Sequence, residues 1–580
     1  MNPNKSVSEL RAVVGDLQPY FLRSAWLTLV ASILVLAPSV YMLEVYDRVI
    51  NSRSHMTLLM LTIVVICIFI VMEVLEWARS QLMHEAGIAL DQRLSARIFN
   101  VIFEANVKRL PGGTQLPFTD FRIIREFFSS PLLVALMEAP AALLFLILIF
   151  AMSPVLGWSA LAAAVVQTVI AWLNQSATQA PLTAANHSAF AAQQYADGSL
   201  RNAQVIESMG MLRHIHRRWM DKQSEFLKLQ AQASHAGGGY QAASKFVQNT
   251  AGSMLLGLGA WLVLRNQLAG GAGMIIVASV LGGRVLAPLV QIVSQWQAVV
   301  NVRDSWARLD KLLTALPVRP PTMALPSPSG ALVVESVVAS APGSSLSILK
   351  GVGFELQVGE VLAVVGPSAS GKTTLARLLA GFWPAASGKV RLDGVDIYAW
   401  NKAELGPHVG YLPQGVELFE GSLAENISRF GVVDPAMVEA AARAVGLHEM
   451  IMALPQGYDS PVGRDGTMLS GGQRQRVGLA RAIYGSPVFV VLDEPNSSLD
   501  ESGDAALASA INLLKSRGTT FVIMTHRISI LGVADKVLIL QDGLNRAFGP
   551  RDEVLAALAK VAADAQQASQ AGKPALSAAG

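Results

Sequence analysis

Six long apolar stretches in the first half of the chain constrain its fold more than any other feature. Each approaches or exceeds the roughly 20 residues that a helix needs to cross about 30 Å of hydrocarbon. Only 15% of the 580 residues are charged, against about 25% in an ordinary soluble domain. The mean hydropathy is +0.42. We therefore predict a six-helix transmembrane domain over residues 1–316, with spans at Phe21–Leu43, Thr57–Val74, Leu132–Met152, Val155–Leu173, Phe246–Leu264 and Gly273–Val293.

The basic residues of this half gather in two of the connections between the spans. The positive-inside rule then predicts that both long loops, and both chain termini, lie in the cytoplasm. Within these loops apolar residues recur at helical intervals over 85–103 and 203–229, so we expect the helices to continue beyond the membrane, with short cross-pieces at the loop tips. The basic residues concerned are Arg79, Arg93, Arg97, Lys108, Arg109, Arg122 and Arg125 in one loop and Arg201, Arg213, Arg217, Arg218, Lys222, Lys228 and Lys245 in the other.

A few residues within the spans depart from the apolar pattern. Glu138 and Arg284 are functional candidates, because ionisable groups are costly in lipid, or else a membrane-edge carboxylate and a snorkelling side chain. Pro38 and Pro140 are expected to kink their helices. Cys67, as the single cysteine, excludes an intramolecular disulfide and a cysteine-rich zinc site, and we expect it to be a small buried residue.

The second half reads as a different domain. Proline and serine are dense over 317–330, which predicts a linker. From residue 331 short β-type runs, Val361–Val365 and Phe489–Leu492 among them, alternate with helical patterns, which predicts an α/β domain with a parallel core sheet over 331–555. The alanine-rich tail over 556–580 is typical of a frayed helix or disorder.

A P-loop pattern follows the first of these strands and precedes a helical stretch, which is the context that makes the motif credible. In such a loop backbone N–H groups and a helix N-terminus surround the phosphates of a nucleotide, Lys372 reaches the β- and γ-oxygens, and the Thr373 hydroxyl is a ligand for Mg²⁺. The nucleotide-binding run is Gly366, Pro367, Ser368, Ala369, Ser370, Gly371, Lys372, Thr373 and Thr374.

Two carboxylates stand at the end of the second strand, where they suit two different tasks. Asp493 can hold Mg²⁺, and Glu494 can polarise the water that attacks the γ-phosphate.

A third motif decides the class of protein. It lies between the other two and opens a helical stretch, and it consists of Leu469, Ser470, Gly471, Gly472 and Gln473. With it the chain resembles the ATP-binding cassette (ABC) proteins, in which this signature caps the nucleotide held by a second copy. The resemblance implies a homodimer that binds two ATP molecules. It also implies a Q-loop glutamine at Gln414, which touches Mg²⁺ and water, a D-loop at Asp500, and a switch histidine at His526.

Two positions depart from the family pattern. The family stacks adenine on an aromatic residue upstream of the P-loop, but 333–343 offers none, so base selectivity is expected to be weak or supplied elsewhere. Ala369 replaces a common glycine, and its methyl group is tolerable if φ there is negative.

Further residues, 412–419 and 492–497, resemble the transporters of bacterial type I secretion systems, which export proteases, lipases and repeat-containing proteins. The resemblance implies an inner-membrane protein that joins a periplasmic adaptor and a TolC-like outer-membrane channel and recognises an uncleaved carboxyl-terminal signal of an unfolded cargo. Membrane lipid is a further expected partner. Fewer than thirty residues precede the first span, which disfavours transporters with an amino-terminal processing peptidase.

Three other classes of protein are weighed against this interpretation. A lipid, drug or small-peptide exporter shares every catalytic residue named and stays open. A soluble DNA-handling ATPase is disfavoured by the six spans, and the net charge of +3 gives no reason to expect nucleic acid. The third class, a passive channel or receptor with a nucleotide-sensing domain, is rejected if Glu494→Gln traps ATP and abolishes turnover.

Overall fold

A computed structural model of the chain describes residues 8–108, 116–268, 271–318, 323–340, 346–463 and 466–557. The chain divides into two compact units, Met1–Val318 and Arg319–Gly580, which are taken in turn. The expected alanine-rich tail falls, from residue 558 onward, outside the described residues.

The first unit is helical throughout the part that is described. A single π-helical turn, Val45–Val49, interrupts the series between the third and fourth helices. The helices are α1 (Glu9–Asp16), α2 (Gln18–Leu34), α3 (Ala37–Glu44), α4 (Ile50–Ser52), α5 (His55–Val107), α6 (Leu116–Phe127), α7 (Pro131–Met152), α8 (Pro154–Arg201), α9 (Ala203–Ser208), α10 (Leu212–Leu264), α11 (Gly271–Ser294) and α12 (Trp296–Ala315).

Six segments of the described chain are long and apolar enough to cross a membrane, which confirms the predicted six-helix bundle. The first span is made of α2 and α3, and the break between them comes just before Pro38, which lies in the first turn of α3. Pro140, in contrast, lies inside a continuous α7.

Three of the helices are far longer than a membrane requires. α5 and α10 have 53 residues each and α8 has 48, whereas about 20 suffice to span the hydrocarbon. Between α8 and α10 the chain forms the short α9 and reverses at Gly210, where φ is +62°. α9 is a cross-piece at the tip of this loop. The tip of the other long loop, residues 109–115, lies outside the described residues.

The extensions pack around their own apolar core. Leu10 and Leu17 of the amino-terminal segment are fully buried against the cluster formed by α5, α6 and α12. Two polar links hold the same elements: Arg97 donates to Glu9 at 3.1 Å and to the Leu316 carbonyl. The amino-terminal helix and the end of α12 are therefore held by one guanidinium.

Cys67 is exposed on the outer face of α5, so the expectation that it is buried is wrong. The reason is that none of the residues in the most apolar window of α5 is buried within the chain. Apolar side chains on this helix face outward, and burial cannot be inferred from apolarity inside a membrane.

The described part of the second unit contains ten strands in two sheets. In the six-stranded sheet, ordered β10-β9-β3-β8-β7-β6, neighbours from β9 to β6 are parallel and β10 is antiparallel to β9. This is the predicted parallel core. The strands are β1 (Leu332–Ser340), β2 (Ser347–Leu356), β3 (Val361–Val365), β4 (Ser387–Leu392), β5 (Val395–Asp396), β6 (Val409–Leu412), β7 (Phe489–Asp493), β8 (Thr520–Met524), β9 (Lys536–Gln541) and β10 (Leu544–Pro550).

A separate antiparallel sheet, ordered β2-β1-β4-β5, was not expected from the sequence. Register shifts interrupt its pairing, and Ser336 in β1 adopts φ +43°. These irregularities break the two-residue alternation of buried side chains that marks a strand in a sequence.

Helices and 3₁₀ turns connect the strands of this unit. Short 3₁₀ turns stand at Gly406–His408 and Gly457–Asp459. The helices are α13 (Lys372–Leu379), α14 (Lys402–Leu405), α15 (Leu423–Ile427), α16 (Pro435–Ala444), α17 (His448–Met452), α18 (Gly471–Ile483), α19 (Glu501–Lys515) and α20 (Ile528–Leu531).

Candidate functional site

The P-loop runs from the end of β3 to the start of α13, and two of its glycines are required by the backbone. A Cβ at Gly366 would lie 2.1 Å from the carbonyl oxygen of Leu540. Gly371 has φ +105°, and a Cβ there would lie 2.7 Å from the Leu349 side chain. Only glycine fits these positions without displacing neighbouring atoms.

Ala369 in the same loop adopts φ +64°. The condition under which its methyl group would be tolerated, a negative φ, is therefore not met, and the residue stands in the left-handed region that glycine prefers. The tight turn of the loop imposes this conformation, since Ser370 donates its backbone N–H to Pro367 at 3.3 Å.

Lys372 folds back over the loop. Its Nζ donates to the carbonyl oxygens of Gly366 at 2.6 Å and of Pro367 at 3.0 Å, and the residue is only 8% exposed. Among the described residues no ion pair joins this ammonium to a carboxylate, so its charge suits an anionic ligand such as a phosphate group.

Asp493, at the end of β7, is the buried acid of the site. Its residue exposure is 1%, and neither carboxylate oxygen has a hydrogen-bond partner within the described structure. Burial raises the pKa of Asp493, while the Thr373 hydroxyl and the charges of Arg377 and Lys372 act in the opposite direction. An unpartnered buried carboxylate beside a threonine hydroxyl is the donor set that fits Mg²⁺, a cation that prefers oxygen ligands.

Glu494 follows with an unusual backbone and two polar side chains around it. Its φ is +52°, and its backbone N–H donates to the Met524 carbonyl at 3.0 Å. Gln414 Nε2 donates to Glu494 Oε2 at 3.0 Å, and His526 Nδ1 lies 3.6 Å from Glu494 Oε1. Two of the three residues proposed as catalytic from the sequence, Gln414 and His526, thus lie around the carboxylate of the third, Glu494.

The signature motif opens α18 with a capping box. Ser470 Oγ accepts from the Gln473 backbone N–H at 3.2 Å, and Gln473 Oε1 accepts from the Ser470 N–H at 2.8 Å. Gly472 packs so closely that a Cβ would lie 2.9 Å from the Ser498 carbonyl, whereas a Cβ at Gly471 would meet nothing nearer than 4.0 Å. Within the described structure no hydrogen bond or ion pair joins Ser470 to the P-loop of the same chain.

Asp500 caps the next helix, α19. Its carboxylate accepts from the Gly503 backbone N–H at 2.9 Å and from Arg476 of α18 at 2.7 Å. The bond from Gly503, followed by one from Ser502, lowers the pKa of Asp500. The proposed D-loop residue therefore links α18 to α19.

Gln475 is a site residue that the sequence reasoning missed. It is 3% exposed, and its Nε2 donates to the carbonyl oxygens of Pro495 at 3.0 Å and of Glu494 at 3.4 Å. The available signal was a polar residue at a core-facing position of the amphipathic α18, where burial requires a partner.

Arg377 of α13 was also missed. Its guanidinium lies 4.9 Å from the ring centroid of Trp383, and its charge acts on both Asp493 and Tyr411. Burial, and then the charge of Asp493, raise the pKa of the Tyr411 hydroxyl.

The aromatic residue that the family uses to stack the adenine base is not found in β1, which covers 332–340. Residues 341–345 lie outside the described residues.

Comparisons with known proteins cover both units. Residues 24–285 match the family described as the ABC transporter transmembrane region, and residues 349–497 match the family described as ABC transporter. The chain is 38% identical, over 94% of its length and 94% of the relative's, to the type I secretion system ATP-binding protein PrsD of Rhizobium meliloti (strain 1021).

More distant relatives extend the similarity. The chain is 26% identical to the toxin RTX-I translocation ATP-binding protein of Actinobacillus pleuropneumoniae, over 92% of this chain and 76% of that protein. The structure of a bacterial Atm1-family ABC exporter with ATP bound has the same fold, with a TM-score of 0.80 and 21% identity over 97% of this chain and 99% of that one.

Proposed function

The chain belongs to the ABC transporters, in the branch of the type I secretion ATP-binding proteins, and we propose that two copies of it form the inner-membrane exporter of such a system. It is an ATP-driven exporter for protein secretion. In this proposal residues 1–316 of the two copies form the passage, 317–330 the linkers and 331–555 the ATPase domains, which lie in the cytoplasm with the chain's amino terminus.

The partners proposed for this exporter are those of a secretion route through two membranes. They are a periplasmic adaptor, a TolC-like outer-membrane channel, membrane lipid, and an unfolded protein cargo of the protease, lipase or repeat-protein class with an uncleaved carboxyl-terminal signal. Support comes from the relatives that are named for type I secretion and for toxin translocation. A lipid or drug exporter is the alternative, and the 38% identity to a secretion protein over nearly the whole chain favours protein.

The ATPase chemistry is assigned to residues around one carboxylate. Glu494 is the general base for the attacking water, held by Gln414 and facing His526. Lys372 and the P-loop amides bind the phosphates, with Ser368 and Thr374 in the same cradle. Thr373, Gln414 and Asp493 would hold Mg²⁺, which when bound neutralises charge on the phosphate oxygens.

The proposal of a homodimer is supported chiefly by the separation of the signature motif from the P-loop within one chain. Ser470 and the Gly471 and Gly472 amides form an anion site at the N-terminus of α18. Because Ser470 has no hydrogen bond to its own P-loop within the described structure, we assign this site to the nucleotide of the partner copy. Closure of the two ATPase domains on two ATP molecules then turns the passage outward.

The ATPase assignment is tested by Glu494→Gln in the purified transporter. We expect ATP turnover to fall by about 100-fold or more, because general-base catalysis is worth roughly 10²–10⁴, while ATP binding is retained. The control is Glu439→Gln, an exposed residue of α16 paired with Arg443, which should turn over normally. Unchanged turnover in Glu494→Gln would reject Glu494 as the base.

Protein cargo is tested separately, by the effect of peptides on ATP turnover in nanodiscs. A peptide from the carboxyl terminus of a secreted protein encoded beside this gene should change the rate. A peptide of equal length from the amino terminus of the same protein should not. Equal responses to both peptides, or a response only to lipids, would favour the alternative exporter.

A further inference from the structure

The last span, α11, is the most enclosed of the six. It packs against α3, α7, α8 and α10, and 39% of its apolar window is buried within the chain, against 0% for α5. Over Gly273–Ser294 only Val280 and Arg284 are exposed. Over these described residues, the open strip of the helix therefore carries an arginine.

The exposed face of α5 shows what a lipid-facing strip of this chain looks like. Over residues 58–72 its outward residues are all apolar, as expected for contact with acyl chains, and a charged residue, Glu73, is first exposed at the end of the predicted span. They include Ile63, Val64, Ile66, Cys67, Ile70 and Val71. The exposed strip on α11 carries a charged side chain in the middle of its span, so we do not expect this strip to face the acyl chains of the lipid.

Arg284 has no ion pair or hydrogen bond with any residue that the structure describes. It stands in the middle of α11, about 15 Å along the axis from the nearer helix end at 1.5 Å per residue, which is farther than its side chain reaches. Space is open beside it, because a Cβ added at the neighbouring Gly283 would meet no atom within 4 Å. An unpaired guanidinium at this depth requires water or a polar ligand.

A second charged group lies on the adjoining helix α7. Glu138 is 40% exposed at its side chain and forms a long ion pair, 3.8 Å, with Arg79 of α5. The charges of Arg284 and Glu76 also act on this carboxylate. Both signs of charge thus occur on α7 and α11, which pack against each other, but Arg79 is the arginine engaged by Glu138, which leaves the guanidinium of Arg284 available.

We propose that Arg284, with Glu138 on the adjoining helix, lines the water-filled passage of the exporter and binds carboxylate groups of the polypeptide in transit. This inference rests on the proposed function, since it needs a passage for polypeptide. The proposal places the charges of Arg284 and Glu138 at the wall of a water-filled passage, where they avoid the cost of burial in hydrocarbon.

The first test measures exposure to water and needs no ATP turnover. Arg284→Cys is made in a Cys67→Ser background, and the nucleotide-free transporter in nanodiscs is treated with a charged, membrane-impermeant maleimide. We expect the charged maleimide to label Arg284→Cys and, in a separate sample of the wild-type transporter, to leave Cys67 unlabelled, since the outward face of α5 should be reached only by a membrane-permeant maleimide. If only the permeant reagent labels Arg284→Cys, position 284 faces lipid. If neither reagent labels it, position 284 is buried between the two copies. Either result would overturn the proposal.

The second test addresses the ligand. An unstructured glutamate-rich peptide with a photo-reactive group is cross-linked to the nanodisc-embedded transporter, and a lysine-rich peptide of equal length is the control. Cross-linking of the acidic peptide should fall several-fold in Arg284→Leu and persist in Arg284→Lys. Equal cross-linking of the two peptides, or no effect of Arg284→Leu, would contradict the carboxylate assignment. Loss of ATP turnover in Glu494→Gln tests the proposed function independently of both results.

Discussion

At the residue scale, the nucleotide site depends on two non-glycine residues in the left-handed region. Ala369 and Glu494 have φ of +64° and +52°, a conformation that costs of order 1–3 kcal/mol at each position and persists only where the surroundings impose it. For Glu494 the surroundings are known. Met524 accepts its N–H, and Gln475 donates to its carbonyl and to that of Pro495. The backbone of the proposed base is thus held from two elements.

This arrangement predicts that Gln475 acts on turnover as a positioning residue. Gln475→Leu should lower kcat about tenfold, equivalent to about 1.4 kcal/mol, with little change in KM for ATP, because the phosphate-binding residues are untouched. Gln475→Asn, which keeps the amide on a shorter side chain, should have an intermediate effect. Steady-state kinetics on the purified variants measure the split. A raised KM with unchanged kcat would point to a structural role in nucleotide binding instead.

Asp493 predicts a pH dependence of stability. Because burial raises its pKa above the ordinary value of 3.8, the nucleotide-free folded state binds the proton more tightly than the unfolded state. Stability contributed at this position is therefore present at acid pH and lost as pH rises through the folded pKa. Asp493→Asn should unfold at a higher temperature than wild type near neutral pH, with the difference vanishing towards pH 4, and should not hydrolyse ATP.

Asp500 provides the comparison of opposite sign. Its pKa is lowered, chiefly by the bond from the Gly503 N–H, so Asp500→Asn should be the less stable protein near neutral pH, and this difference should also vanish in acid. Thermal unfolding from pH 7.5 down to about pH 2.5 measures both variants, and the Asp500→Asn difference should close only below the ordinary pKa of 3.8, where the Asp493→Asn difference has already closed. Parallel curves for the two would contradict the assignment of the shifts.

At the scale of elements, sequence patterns correctly predicted the helices and strands that depend on local composition. The length of the apolar stretches is enough to predict the six spans, and short apolar β-type runs are enough to predict β3 and β7. The antiparallel sheet was missed because its strands pair across the P-loop and α13 and because Ser336 interrupts the alternation in β1. Gln475 was missed because its role depends on a turn twenty residues away in the chain. The roles assigned to the motif residues stay predictions.

The ion pair between α6 and α12 predicts that two acidic residues of α6 contribute very differently to the free energy of unfolding. Asp120 is 2% exposed at its side chain and accepts two bonds from Arg308, at 3.0 and 2.5 Å. Asp120→Ala should cost about 3 kcal/mol, the lower end for breaking a buried pair, since Arg308 is 38% exposed and can be hydrated. Glu126, 66% exposed beside Arg122, is the control, and Glu126→Gln should change stability by less than about 1 kcal/mol. Chemical unfolding of both variants measures the contrast, and equal losses would contradict it.

At the scale of the whole molecule, the proposed ATPase cycle requires cooperation between two copies of the chain. The P-loop follows β3, the proposed base follows β7, and the signature opens α18 without a hydrogen bond from Ser470 to the P-loop of the same chain within the described structure. A homodimer with twofold symmetry would complete two sites at once, each with the P-loop of one copy and the signature of the other. Secretion would then be driven by a closure that neither copy performs alone.

Mixing of two inactive variants measures this claim most directly. Lys372→Ala disables the P-loop, and Gly471→Asp disables the signature by placing a carboxylate where the structure leaves room for a side chain. Each alone should be inactive. In a mixed dimer both defects fall on one site and the other site is intact, so reconstitution at equal amounts should restore ATP turnover, up to about one quarter of the wild-type rate for random pairing of two-site dimers. No recovery, although the two variants are shown to pair, would mean that each chain serves only its own nucleotide and would contradict the account.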